Sequence, residues 1–130
     1  MNKPERSGSR RIIRACYYSY RGIFAAWRSE AAFRQELVLM LFMIPFAFWL
    51  GETAEQQILL IAPCFLVLIV ELINSAIEAV VDRIGSEMHE LSGQAKDMGS
   101  AAVLLSLLLV VLSWGLIAWH RFGMDFTQAG

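Results

Sequence analysis

From Ile58 to Arg83 the chain runs ILLIAPCFLVLIVELINSAIEAVVDR, an apolar length that takes up acids only in its second half. Roughly 20 mostly apolar residues cross the hydrocarbon core of a bilayer, so this segment is long enough to span one. Its polar members, Glu71, Asn74, Ser75, Glu78 and Asp82, are spaced i, i+3, i+4, i+7 and i+11. At about 100° per residue they share an arc of roughly 100° on one helix face. Counted from Ile58 at about 1.5 Å per residue, Glu71 lies roughly 20 Å in and Glu78 roughly 30 Å. In a core about 30 Å thick, Glu71 falls within the inner half and Glu78 at the inner boundary. A carboxylate at such depth costs on the order of 2.5–3.5 kcal/mol. The stripe must therefore face protein, a cation or a polar cavity.

Two further apolar stretches flank this one. Leu37–Leu50 extends back to Ala31 if Arg34, Gln35 and Glu36 sit among the headgroups, and Ala101–Trp119 holds no charged residue. These patterns predict an all-α membrane protein, one integral-membrane domain over residues 1–130. Its spans fall at about 31–50, 57–83 and 100–120, preceded by an amphipathic surface helix at about 9–28. Of 130 residues 57% are hydrophobic and 18% charged, which excludes a disordered chain and does not suit an ordinary soluble domain. The net charge of −1 gives no sign of a nucleic-acid partner. Cys16 and Cys64 have no CxxC or zinc-ligand spacing. Pro45 and Pro63 predict local kinks in the first two spans.

The charges are distributed unevenly. Lys3, Arg6, Arg10, Arg11, Arg14, Arg21, Arg28 and Arg34 make up eight of the eleven Lys and Arg. A basic N-terminal arm, a loop at 51–57 with acids but no basic residue, and an inner loop at 84–99 near Arg83 and Lys96 predict a cytoplasmic N-terminus. No apolar core of a signal peptide occurs in the first 30 residues. In the arm Ile12, Ile13, Cys16, Tyr20, Ile23, Phe24 and Trp27 recur at helical spacing among the arginines. Such a face suits an anionic leaflet or a neighbouring protein, and both readings stand.

At the inner boundary Glu30 and Glu36 join the stripe, and the inner loop adds Glu87, His89, Glu90, Lys96 and Asp97, with Ser100 beyond. Oxygen-rich clusters suit Mg²⁺, which binds carboxylates, water and substrate phosphates. No HExxH, GxSxG or phosphate-loop motif is present. Taken by themselves, the buried acids fit a catalytic site, a proton-linked transport path or polar helix packing. His89 and Lys96 alone read as surface loop residues; Trp49, Trp114 and Trp119 read as interface anchors. Three short helices cannot easily enclose such a stripe, so self-association is expected to complete it.

The run Glu71-Leu-Ile-Asn74-Ser75-Ala-Ile-Glu78-Ala-Val-Val-Asp82-Arg83 resembles the signature of the bacterial integral-membrane diacylglycerol kinases. The similarity continues through Gly85-Ser86-Glu87, His89–Gly93, Ala95–Val103, Arg11-Ile12-Ile13, Ala25-Ala26-Trp27 and Glu30–Glu36, covering residues 10 to 123 or so. The resemblance implies a homotrimeric helical bundle in the bacterial inner membrane. It implies transfer of the γ-phosphate of Mg-ATP to the primary hydroxyl of diacylglycerol, giving phosphatidic acid. An undecaprenol kinase of the same family is the alternative acceptor reading. By position, Glu71 would be the general base, and Glu30 and Glu78 would hold Mg²⁺. Arg11, Tyr18, Glu30, Glu78, Glu87, Met88, His89, Lys96 and Asp97 would contact ATP. Arg11, Glu71, Asn74 and Ser100 would contact the lipid substrate. Met88 stands where the family pattern has an aromatic residue.

Overall fold

The computed structural model describes residues 8–85 and 89–128. Four helices account for almost all of them: α1 (Gly8–Ser29), α2 (Ala31–Leu50), α3 (Ala54–Ile84) and α4 (Glu90–Gln128). No strand occurs among the described residues. Helices α2, α3 and α4 are each long and apolar enough to cross a membrane. At about 1.5 Å per residue α2 is roughly 30 Å long, α3 roughly 46 Å and α4 roughly 58 Å, so the last two overhang the hydrocarbon.

Helix α3 is the centre of the chain. It packs along α4 and, less extensively, against α2, while α2 and α4 barely meet. Most large apolar side chains on α2 and α4 face outward, Phe42, Phe46, Leu105 and Val111 among them. In lipid such a surface is satisfied by acyl chains and needs no protein cover. The tight core lies near the 51–53 turn, where Ala47, Leu50, Leu60 and Ile117 bury one another beside Ile61, Trp114 and Ala118.

Thr53 starts α3 by accepting the Gln56 backbone N–H at 3.2 Å, and Gln56 Oε1 accepts the Glu52 N–H at 2.9 Å. A threonine cap with Gln three residues on is a strong helix start. Both α2 and α3 remain helical through Pro45 and Pro63. Near the latter, Trp114 Nε1 donates to the Leu60 carbonyl at 3.0 Å, tying α4 to α3.

One expectation needs correction. Residues 90–99 are not part of a loop: α4 begins at Glu90, so Glu90, Lys96 and Asp97 are helical. His89 explains the early start, because its Nδ1 accepts the Leu91 N–H at 3.1 Å and its carbonyl accepts the Gly93 N–H at 3.0 Å. An acid in the first turn adds a favourable interaction with the helix dipole. The helix then presents Leu91, Ala95 and Met98 to the α3 side.

At the other corner a single residue, Glu30, separates α1 from α2, with φ −113° and ψ 106°. Apart from Ala26, every described residue of α1 is exposed in the single chain. Its aromatic and basic side chains pair along the helix: Tyr20 stacks on Phe24, and Arg28 lies 4.3 Å from the Phe24 ring centre.

Candidate active site

The polar stripe of α3 becomes more exposed along its length. Glu71 is 6% exposed and Asn74 8%; Ser75 and Glu78 are half-buried, and Asp82 is open. Side chains four residues apart lie above one another on a helix, and Asn74 Nδ2 donates to Glu78 Oε1 at 3.3 Å. The remaining oxygen, Asn74 Oδ1, is buried with no hydrogen-bond partner. It rests against Gly99 of α4, where an added Cβ would collide with it. Gly99 thus lets α4 approach the stripe closely at the level of Asn74.

Three acids converge on Glu71. It feels the charges of Glu78 on its own helix and of Glu30 at the α1–α2 corner, and its own charge acts on Glu36 of α2. Glu36 is half-buried, and its Oε2 also lacks a hydrogen-bond partner. Among the described residues the ion pairs are Lys96–Asp82 at 2.7 Å and Arg121–Glu52 at 3.9 Å, and neither neutralises Glu71 or Glu36. Lys96 bridges towards the cluster, since it also feels the charge of Glu78. Like charges crowded out of water without a basic partner are unfavourable unless a proton, a cation or a substrate joins them.

No three His, Cys, Asp or Glu side chains among the described residues form a ready-made metal cage. That donor set still fits Mg²⁺, which is usually held by one or two carboxylates completed by water and substrate phosphates. Glu30 begins α2 without spending its side chain on a capping bond, so its carboxylate is uncommitted. Beside the stripe runs an apolar groove of about 570 Å³ between α3 and α4, walled by Val70, Ile73, Ile77, Met98 and Ala102 with Asn74 at its edge. Asn74 is the cluster residue that lines this groove, and a polar group in an apolar wall can orient a hydroxyl while its greasy tail stays out of water.

Of the residues singled out by sequence, Glu30, Glu71, Asn74 and Glu78 come together, and Lys96 stands at the open end of the same cluster. Asp97 and Ser100 are exposed on α4. His89 caps α4. Arg11 and Tyr18 are exposed on α1. Glu87 and Met88 lie outside the described residues. Asp82, Arg34 and Gly99 carry no role from the sequence. The first holds Lys96, the second holds the α1–α2 corner, and the third accommodates Asn74.

The sequence model described as prokaryotic diacylglycerol kinase matches residues 17–118. The diacylglycerol kinase of Escherichia coli strain K12 is 56% identical over 117 residues, covering 90% of this chain and 96% of that protein. Those of Pseudomonas aeruginosa and Haemophilus influenzae are 50% and 49% identical, covering 85% and 84% of this chain and 90% and 92% of theirs. With a family match over residues 17–118 and a relative 56% identical over 90% of its length, the chain belongs to the prokaryotic diacylglycerol kinase family.

Proposed function

We propose that this chain is a lipid kinase that moves the γ-phosphate of ATP onto the primary hydroxyl of diacylglycerol, producing phosphatidic acid and ADP. The observation that carries the proposal is Glu71, buried among like charges and three residues along the helix from Asn74, which lines an apolar groove. Phosphoryl transfer asks a protein mainly for positioning and charge neutralisation. Glu71 takes the hydroxyl proton as the lipid oxygen bonds to the γ-phosphorus and the bond to the β-phosphate oxygen breaks. A well-placed base of this kind contributes about 10²–10⁴ in rate.

Glu30 and Glu78 are the carboxylates that would hold Mg²⁺; bound there with the nucleotide, the ion would offset phosphate charge. Lys96, released from Asp82, offers a second positive group to the phosphates. Asp97, His89, Arg11, Tyr18 and the 87–88 segment complete the proposed nucleotide contacts. Asn74, fixed between Glu78 and Gly99, and Ser100 and Arg11 orient the acceptor. Seven residues of helical rise separate Glu71 from Glu78 by about 10 Å. That spacing lets nucleotide enter from the aqueous end and lipid from the bilayer. The exposed α2 and α4 faces support self-association, and we place the chain as a homotrimer in the bacterial inner membrane. Its basic arm is cytoplasmic, in keeping with the concentration of positive charge before residue 35.

The test supplies purified chain in detergent with labelled ATP and Mg²⁺, offering diacylglycerol and undecaprenol separately. Label in phosphatidic acid is the expected result. Label in the polyprenol alone would change the acceptor, and label in neither would overturn the kinase reading.

A further inference from the structure

One side chain among the described residues hydrogen-bonds across the corner between α1 and α2. A helix leaves its last four carbonyls without intrahelical donors, and in α1 these belong to Ala26, Trp27, Arg28 and Ser29. The Glu30 N–H takes the Ala26 carbonyl at 2.9 Å. Arg34 reaches back across the break, and its Nη1 donates to Trp27 at 2.8 Å and to Arg28 at 3.1 Å. Its own backbone N–H takes the Glu30 carbonyl at 3.2 Å, so one residue grips both sides of the break. Glu30, the residue between, is extended and makes no capping bond with its side chain. Ala26 and Phe33 are buried on either side of it, and among the described residues Arg34 is the side chain that hydrogen-bonds across the break.

We infer that Arg34 is a positioning residue: by closing the end of α1 it sets the α1–α2 angle, and through it the place of the Glu30 carboxylate in the divalent-cation site. This rests on the metal role proposed for Glu30. A guanidinium suits the task because its planar fork serves two acceptors, whereas a lysine ammonium on a flexible stem holds them less rigidly. Positive charge at a helix C-terminus also interacts favourably with the dipole.

The experiment uses the full chain in detergent with Mn²⁺ and a non-hydrolysable ATP analogue, reading bound Mn²⁺ by electron paramagnetic resonance. Amide hydrogen exchange at Glu30 is followed in parallel. Arg34→Met is expected to weaken Mn²⁺ binding about tenfold, the scale of losing a group that orients a metal ligand, and to speed exchange at Glu30. Arg34→Lys should recover part of both. Mn²⁺ binding in Arg34→Met within about twofold of the unsubstituted chain overturns the inference, even if turnover falls. So does unchanged exchange at Glu30. Glu30→Gln, measured alongside, separates the two levels: unchanged Mn²⁺ binding there removes the metal role of Glu30 itself, while exchange in Arg34→Met still decides whether Arg34 holds the corner.

Discussion

The two ends of the helical bundle treat polar groups in opposite ways. Around the 51–53 turn they are paired. Gln57 Nε2 donates to the Gly51 carbonyl at 3.1 Å, and Trp114 donates to Leu60. Arg121 of α4 closes the end of α2 through the carbonyls of Trp49 and Leu50, its guanidinium 4.7 Å from the Trp49 ring centre. Around Glu71 the opposite holds: acids face acids, and oxygens of Glu36 and Asn74 are buried without partners. Each end uses an arginine to finish a preceding helix, Arg121 for α2 and Arg34 for α1. Only the second stands beside uncommitted carboxylates. A buried polar group left unpaired costs about 1–3 kcal/mol, more when charged. One end therefore stabilises the bundle, and the other keeps unmet demand for a cation and substrates.

The contrast can be broken from either side. Glu71→Gln removes the proposed base while keeping shape, and turnover should fall by about 10²–10⁴. Nucleotide binding and the melting temperature in detergent should change little; wild-type turnover would take Glu71 out of its role. At the other end, Leu60→Ala leaves a cavity in the tight core. The cost should be about 2 kcal/mol, the low end for such a truncation because the unpacked state lies in lipid rather than water. Unfolding in mixed micelles measures it, and turnover per folded molecule should stay the same.

Smaller changes sharpen the comparison. Gly99→Ala pushes a methyl group into the end of the Asn74 side chain, and turnover should drop about tenfold, with about 1 kcal/mol lost from stability, the low end for an added carbon because that end can turn aside. A larger fall in stability than in activity would make Gly99 a packing residue only. Trp114→Phe deletes one interhelical hydrogen bond. It should cost about 0.6 kcal/mol, since such bonds inside membranes average that value, and leave turnover unaltered.

Helical periodicity made the apolar lengths and the shared face of Glu71, Asn74 and Glu78 legible from residue order alone, while the Glu71–Arg83 run added a resemblance to a known family. These are local properties: a rise per residue, a turn angle and a run of side chains that avoid water. The approach of Glu36 to Glu71, the seat of Asn74 against Gly99 and the grip of Arg34 on Trp27 and Arg28 depend on where helices cross and bend. No period encodes those crossings. The start of α4 is hidden from residue order for a similar reason: residues 84–99 look like a loop, yet His89 caps a helix that opens at Glu90 and packs along α3. Residue order thus specified which side chains lie at membrane depth. Packing of α2, α3 and α4 specified which of them meet, because proximity between distant residues is a property of the assembled helices.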